Sequence, residues 1–247
     1  MLPGSYPKSY VFRNKVTYFA VGFVVALMYV KLYSFLFDPY IPNDFDAFPE
    51  PAWRPENLIS ATTVASTPFA RFEVHKVKTE TGEIVPDWLW TDERSHVNIL
   101  VHVKSVDRYL LFRQRKYGLD RPRLALVGGL FNEGETPEQC AARELLEETG
   151  FIAGELVNLG AYRVQVNRGG GILHAFLAKD CVKSAKHKYS DDYEKQVQLY
   201  FDHEELISEV LNGNVGEAQW VATAALGLLH RAHRWKAAES GEIFDPN

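Results

Sequence analysis

Cysteine is nearly missing from this chain, with Cys140 and Cys181 the only two among 247 residues. Two thiols exclude both a multi-bridge disulfide framework and a four-thiolate zinc site. The eight histidines show no zinc-site spacing, and no repeat of solenoid or propeller period is present. The formal net charge of -5 gives no overall attraction for nucleic acid. We therefore do not expect a repeat protein, a zinc module or a nucleic-acid-binding protein.

Charge is also nearly missing from a long segment close to the N-terminus. Residues 16–37 contain one charged side chain, Lys31. As a helix they would be about 33 Å long, enough to cross a hydrocarbon core of about 30 Å. We expect a transmembrane anchor over residues 16–37, preceded by a short basic segment over residues 1–15. A cleaved targeting segment and a buried helix are the alternatives, although no A-x-A cleavage pattern follows and a polar stripe is almost missing.

The charges flanking this run predict its orientation. Lys8, Arg13 and Lys15 precede it, whereas the first basic residue after it is Arg54. The positive-inside rule then predicts a single-pass protein whose N-terminus lies on the cytosolic or matrix side. The lack of any N-x-S/T glycosylation acceptor argues weakly in the other direction. The sequence does not indicate the organelle.

The rest of the chain divides into a linker, one domain and a tail. Five prolines favour a semi-rigid, proline-rich linker over residues 38–65. Residues 66–235 have the pattern of one mixed α+β domain, and residues 236–247 are expected to form a tail. Alternation of apolar and polar residues predicts strands at 96–103, 108–115, 156–166, 171–180 and 196–201. A helical period of apolar residues predicts helices at 137–149, 203–212 and 216–233.

One helix follows a glycine-rich loop and has clear start and stop signals. Thr136 to Gln139 form a capping box with Pro137 at the first helical position. Gly150 is suited to end the helix in the left-handed conformation. The segment therefore predicts a helix of about 13 residues.

Three glutamates share one face of this predicted helix. At about 100° per residue, Glu147 and Glu148 flank Glu144 within about one turn. Like charges at this spacing destabilise a helix, and Arg143 offsets only part of the repulsion. A bound Mg²⁺ or Mn²⁺ would explain the cluster, because these cations prefer oxygen ligands. A solvated acidic face is the alternative.

The pattern extends beyond the three acids. Gly129 is followed after five residues by Glu135, and after seven more by Arg143-Glu144-Leu145-Leu146-Glu147-Glu148-Thr149-Gly150-Phe151. This segment resembles the Nudix box, G-x5-E-x7-R-E-U-x-E-E-x-G-U with U bulky and apolar. The resemblance implies an α/β/α sandwich that hydrolyses nucleoside diphosphates linked to another moiety. It also implies three roles: metal ligation by Glu144, Glu147 and Glu148, orientation of these carboxylates by Arg143, and bracing of the loop by Gly129 and Glu135.

The flanking segments are similar to the ADP-sugar (ADP-ribose) pyrophosphatase branch of this family, over roughly residues 70–232. The similar segments are 111–118, 174–180, 190–201 and 203–229. They imply substrate binding by Arg113, Gln114 and Lys116. They also imply an acidic loop in which Asp192 and Glu194 stand at the positions of the base and of an additional metal ligand, although a solvated loop is the alternative.

The chain departs from this branch at two places. Val127-Gly128-Gly129 replaces the usual P-A-G, which leaves the carbonyl of Gly128 as a further metal ligand in the implied site. Asn167 to Gly171 replaces another segment of the branch, and these glycines predict either a hairpin turn or a phosphate-binding backbone. The substrate contacts are therefore expected to differ, so the substrate need not be ADP-ribose.

Two tryptophans precede the first central strand. Trp88 and Trp90 are suited either to stack on a nucleotide base or to pack at the edge of a sheet. Residues 66–92 are also expected to pair two subunits, as this branch does through its N-terminal sheet. The intact box favours an enzyme over a nucleotide sensor without turnover. Dinucleoside polyphosphates, NADH and coenzyme A are the alternative substrates.

Overall fold

The structure is a computed structural model that describes Phe48, residues 53–185 and residues 195–240. The predicted anchor over residues 16–37 lies outside the described residues, as do Asp192 and Glu194. Within the described ranges, no helix is long and apolar enough to cross a membrane.

An antiparallel three-stranded meander opens the fold. It consists of β1 (Leu58–Ser66), β2 (Ala70–Lys78) and β3 (Ile84–Glu93). Strand β1 overlaps the linker predicted over residues 38–65, so residues 58–65 of that range form a strand. The sequence pattern missed β1 because most of its side chains are exposed on both faces, and an edge strand of this kind shows no apolar alternation.

The central sheet is mixed and contains the most deeply buried strands. Strand β4 (His96–Val103) pairs in antiparallel fashion with β5 (Arg108–Gln114) and in parallel with β10 (Gly169–Lys183). The order across the sheet is β1-β2-β3-β10-β4-β5-β11. The remaining strands are β6 (Arg123–Ala125) on β5, β7 (Val127–Leu130) on β4, β8 (Phe151–Ile152) and β9 (Glu155–Gln165) on β10, and β11 (Val197–Phe201) on β5.

Within the described residues, three α-helices pack on this sheet. Helix α1 (Pro137–Glu144) lies against β4, β7 and β9, and α3 (Ala218–Ser240) lies against β4, β9 and β10. The short α2 (His203–Leu211) packs on α3, β5 and β11. The core between them is apolar and includes fully buried Ile99, Leu100 and Phe176, and each such side chain stabilises the fold by about 1.5–3 kcal/mol. The mixed α+β fold class is confirmed.

One predicted helix has the expected bounds but not the expected type throughout, and one predicted boundary is wrong. The segment 137–149 is not one α-helix, because α1 ends at Glu144 and a π-helical turn continues from Leu145 to Thr149. The predicted tail over residues 236–247 begins inside α3, which runs to Ser240. The five predicted strands agree with the structure within a few residues.

Candidate active site

The capping box at the start of α1 and the glycine that ends the helical segment both adopt the predicted geometry. The Thr136 hydroxyl accepts a hydrogen bond from the Gln139 backbone N–H at 3.3 Å, and the Gln139 side chain accepts one from the Thr136 N–H at 2.9 Å. Pro137 occupies the first turn, where its missing N–H costs no hydrogen bond. Gly150 ends the helical segment at φ 71. The first and last residues of the helical segment 137–149 are therefore fixed by local sequence.

One guanidinium holds the loop before α1. Arg143 donates from Nε to Glu135 Oε1 at 2.6 Å and from Nη2 to Glu135 Oε2 at 2.9 Å. The same Nη2 donates to the carbonyl of Leu130 at 2.9 Å, and the backbone N–H of Asn132 donates to Glu135 at 2.8 Å. The hydrogen bonds from Arg143, followed by those from Asn132, lower the pKa of Glu135 to about 2. An ionised Glu135 thus joins the two ends of the loop.

Two carboxylates meet the backbone of β7 at adjacent residues. Glu148 Oε2 accepts a hydrogen bond from the Gly128 N–H at 3.3 Å. The carboxylate of Glu144 lies so close to Gly129 that a Cβ at this position would overlap it. A Cβ on Gly128 would in turn collide with the backbone of Val97. Gly129 is therefore required for the close approach of β7 to α1, and Gly128 for the close approach of β7 to β4.

The third carboxylate is more exposed. The Glu147 side chain is 51% exposed, whereas that of Glu144 is 13% exposed. Arg143 Nη1 donates to Glu144 at 2.7 Å and to Glu147 at 3.1 Å. The π-helical turn contains Glu147 and Glu148, so the predicted spacing of 100° per residue does not hold for them. π-helical turns occur often at functional sites.

The donor set fits a hard divalent cation. Glu144, Glu148 and the backbone of Gly128 offer oxygen atoms around one short stretch of β7, and such ligands suit Mg²⁺ or Mn²⁺. Across the described ranges, no three His, Cys, Asp or Glu side chains are already arranged as a metal site. Arg143 engages Glu144 and Glu147, so these two carboxylates would have to turn to bind a cation.

The residues implied for substrate binding on β5 lie in different environments. Arg113 is exposed, whereas Gln114 is buried and its Oε1 has no hydrogen-bond partner within the described part of the chain. Lys116 follows β5 and interacts electrostatically with Glu217. Arg113 and Lys116 thus offer two positive charges at the end of β5.

A polar cluster beside Lys116 was not predicted from the sequence. His96 and Gln219 share a hydrogen bond of 2.6 Å, and Gln219 donates to Glu217 at 3.1 Å. Burial raises the pKa of Glu217, while His96 and Lys116 act in the opposite direction. No motif marks Glu217, because the charged groups around it, His96 and Lys116, are distant in the sequence.

Arg94 was also missed. Its guanidinium donates to the carbonyl of Phe131 in the loop before α1, and its own carbonyl lies where a Cβ on Gly171 would stand. Arg94 therefore connects the meander, the loop and β10. A single arginine between two strands gives no sequence signal of such a contact.

The two predicted tryptophans have different positions. Trp90 is buried, with its ring stacked on His75 at 5.2 Å between centroids and its Nε1 donating to Asp92 at 2.9 Å. Trp88 is 38% exposed and donates from Nε1 to the carbonyl of Asn167 at 2.7 Å. Trp90 therefore packs within the sheet, and only Trp88 offers an accessible ring.

The segment Asn167 to Gly171 contains the end of the turn between β9 and β10 and the first three residues of β10. Gly169 and Gly170 have φ of 88 and 70, and the Arg168 N–H donates to the carbonyl of Gln165 at 3.3 Å. Positive φ at these two glycines lets the chain pass from the turn into β10. The hairpin-turn alternative is thereby confirmed.

Comparison with known proteins identifies a family model and curated relatives that this chain matches. Residues 92–238, more than half of the chain, match the family model of the NUDIX domain. The chain is 32% identical over 78 residues to "ADP-ribose pyrophosphatase" of Bacillus subtilis (strain 168), which is 32% of this chain and 42% of that protein. It is 35% identical over 63 residues to "Putative nudix hydrolase 2" of Caenorhabditis elegans, which is 25% of this chain and 28% of that protein.

A solved structure shows the same fold. The structure described as "Crystal structure of ADP compounds hydrolase" superposes with a TM-score of 0.61 at 20% sequence identity. The superposition covers 78% of this chain and 100% of that chain. By contrast, the sequence matches above span less than half the length of each curated relative.

Proposed function

The chain belongs to the NUDIX family, and on that premise we propose that it is a metal-dependent hydrolase of nucleoside diphosphates linked to another moiety. The observation that carries the proposal is the convergence of Glu144 and Glu148 on the paired glycines of β7. Oxygen ligands placed against a strand backbone suit cations that bind substrate phosphates. The reaction adds water to one phosphorus and breaks the bridging P–O bond of the pyrophosphate.

Each residue of the box has a proposed role. Glu144, Glu147, Glu148 and the Gly128 carbonyl would hold Mg²⁺ or Mn²⁺, which neutralises phosphate charge and activates water when bound. Arg143 positions the carboxylates, and Glu135 holds Arg143 in place. Asp192 and Glu194 are the proposed base and additional ligand.

The most fitting substrate class is an ADP-sugar such as ADP-ribose, which would give AMP and a sugar phosphate. The similarity to a protein named ADP-ribose pyrophosphatase supports this choice. Arg113 and Lys116 supply positive charge for the phosphates, and Trp88 supplies a ring for the base, whereas Gln114 is buried inside the fold. Trp90 has no such role, because its ring is buried.

We also propose how the enzyme is placed in the cell. Residues 16–37 anchor it as a single-pass protein, with the catalytic domain on the side opposite the basic N-terminus. Tethering would keep the active site close to a membrane that supplies substrate. Deletion of residues 1–37 should therefore release the protein from membranes; an unchanged location would contradict the anchor.

Substrate profiling tests the proposed reaction. The full chain in detergent is incubated with Mg²⁺ or Mn²⁺ and ADP-ribose, ADP-glucose, NADH, coenzyme A or diadenosine polyphosphates, and the products are separated by chromatography. Glu148→Gln should lose more than about a hundredfold in kcat, because it removes a metal-binding charge. Glu138→Gln, on the same helix but outside the box positions, is the matched control. Nucleotide binding without cleavage of any compound would favour a sensor instead.

A further inference from the structure

Helix α3 packs along strand β4 in a regular register. Near the start of both elements, His96 Nε2 lies 2.6 Å from Gln219 Oε1. Further along, a Cβ on Gly227 would stand 2.7 Å from the side chain of Leu100. The span from His96 to Leu100 thus matches the span from Gln219 to Gly227, because two strand residues and four helical residues each advance the chain by about 6 Å.

This register places Asn98 of β4 opposite Thr223 of α3. Each of them lies midway between the two contacts on its own element, and alternate residues of a strand share one face. Asn98 is 3% exposed, and Thr223 is fully buried. Among the described residues, neither Asn98 Nδ2 nor Thr223 Oγ1 has a hydrogen-bond partner. A buried amide donor and a buried hydroxyl therefore face each other without a bond between them.

The chemistry of the two groups indicates what satisfies them. Both lose their hydrogen bonds to solvent on folding, which is costly unless another group replaces these bonds. One water molecule can satisfy both, because it accepts from the Asn98 amide and exchanges a hydrogen bond with the Thr223 hydroxyl. Neither side chain carries a charge, so the pair does not suit an ion.

The Asn98 amide also touches the proposed metal site. Asn98 and Gly128 lie opposite each other in the antiparallel ladder of β4 and β7, so both residues present the same face of the sheet. A Cβ on Gly128 would stand 2.7 Å from Asn98 Oδ1, so the amide lies directly on this glycine. The N–H of Gly128 in turn donates to Glu148 Oε2 at 3.3 Å. The position of the Asn98 amide therefore limits where the backbone of Gly128 can lie.

We propose that Asn98 and Thr223 hold one buried water molecule between β4 and α3, and that this water fixes the Asn98 amide against Gly128. The two residues are thus positioning residues for the backbone of a proposed metal ligand. The inference rests on the proposed function for the role of Gly128, whereas the water site itself does not depend on that function.

A double-mutant cycle tests the shared water. Asn98→Leu and Thr223→Val each leave one buried polar group unsatisfied, so each should lower the Tm of the full chain in detergent by about 3–8 °C. The double variant removes both groups, and its loss should be clearly smaller than the sum of the single losses. Single losses that simply add would overturn the inference.

A crystal structure of the wild-type protein tests the same site directly. We expect a water molecule within hydrogen-bond distance of both Asn98 Nδ2 and Thr223 Oγ1. A direct hydrogen bond between the two side chains, or the lack of density for water between them, would overturn the inference. This measurement decides the question even if one of the variants fails to fold.

Mn²⁺ binding tests the link to Gly128. Titration of the full chain in detergent without nucleotide, with free Mn²⁺ measured by electron paramagnetic resonance, gives the metal affinity alone. Asn98→Leu should weaken Mn²⁺ binding about tenfold, the effect of a group that supports a metal ligand. Thr223→Val should weaken it less, and Thr223→Ser, which keeps the hydroxyl, should bind Mn²⁺ like wild type.

Arg231→Gln is the matched control for a purely structural effect. Arg231 joins α3 to the hydroxyl of Tyr109 at 3.3 Å and to Asp107 at 3.1 Å, away from Gly128. This variant should lower the Tm without changing the Mn²⁺ affinity. Unchanged Mn²⁺ affinity in a folded Asn98→Leu protein, or an equal loss in Arg231→Gln, would overturn the link. A wild-type protein that binds no Mn²⁺ would contradict the proposed metal site and the link with it, while the Tm cycle still decides the water site.

Discussion

Arg143 and Glu135 are joined by two parallel hydrogen bonds of 2.6 and 2.9 Å, although seven residues separate them in the chain. The same guanidinium reaches Glu144 at 2.7 Å. Arg143 therefore links the loop that precedes α1 to a proposed metal ligand on α1. Both contacts join side chains of the chain itself, so Arg143 holds the loop against α1.

Replacing Arg143 by lysine tests this link. Lysine keeps the charge but cannot form the paired hydrogen bonds, so Arg143→Lys should lower the free energy of unfolding by about 1–3 kcal/mol. We also expect a lower kcat with a smaller effect on KM, because the carboxylates lose their orientation. Urea unfolding and steady-state kinetics measure the two effects. Lys179→Arg, at an exposed ion pair, is the control and should change little.

Acidity should weaken the same contact. The folded pKa of Glu135 is about 2, below its ordinary value of 4.5. A lowered carboxyl pKa stabilises the fold above the unfolded value, and the contribution is lost as the pH falls from about 4.5 to about 2. The difference in unfolding free energy between wild type and Glu135→Gln should be constant above pH 5 and less than half as large at pH 3. A difference that is the same at pH 6 and pH 3 would contradict the ionised pair.

Gly129 is predicted to tolerate no side chain. A Cβ there would overlap the Glu144 carboxylate, whereas a Cβ on Gly118 would meet open space. Gly129→Ala should therefore move Glu144 away from β7 and reduce kcat at least about tenfold, since small displacements of catalytic groups cost large factors in rate. Gly118→Ala should keep wild-type activity. Circular dichroism of both variants separates loss of the site from loss of the fold, and a fully active Gly129→Ala would contradict the close approach.

The sequence was informative where the controlling interactions are local. The capping box at Thr136, the turn at Gly169 and the alternating strands all depend on neighbouring residues, and all three were predicted. The position of β1 was not predicted, because β1 is an edge strand paired with β2 and most of its side chains are exposed. The break from α-helix to π-helical turn at Leu145 was also not predicted.

The candidate active site shows the same difference between local interactions, which the sequence predicts, and distant ones, which it does not. The box glutamates were found because their spacing in the chain is itself the pattern. Arg94 and Glu217 were missed because the groups that define their surroundings are distant in the chain: Phe131 for Arg94, and His96 and Lys116 for Glu217. Burial of Trp90 under His75 was likewise invisible in the sequence, and it removes Trp90 from the set of accessible rings.

The exposed apolar surface of the meander supports the predicted pairing of subunits through residues 66–92. Phe72 and Leu89 are 41% and 44% exposed. Val74 lies opposite Leu89 in the antiparallel ladder, and Phe72 lies two residues from Val74, so all three share one face of the sheet. An apolar face of this kind is stabilised when a second copy covers it.

We therefore predict a dimer that Phe72→Glu and Leu89→Glu disrupt, because each would bury an unpaired charge at the interface. Sedimentation velocity of the full chain in a density-matched detergent at micromolar concentration measures the assembly. Leu211→Glu is the matched control, since Leu211 is exposed at the end of α2, away from the meander. A wild-type protein that sediments as a monomer would rule out this pairing, and a dimer unaffected by both meander variants would place the interface elsewhere.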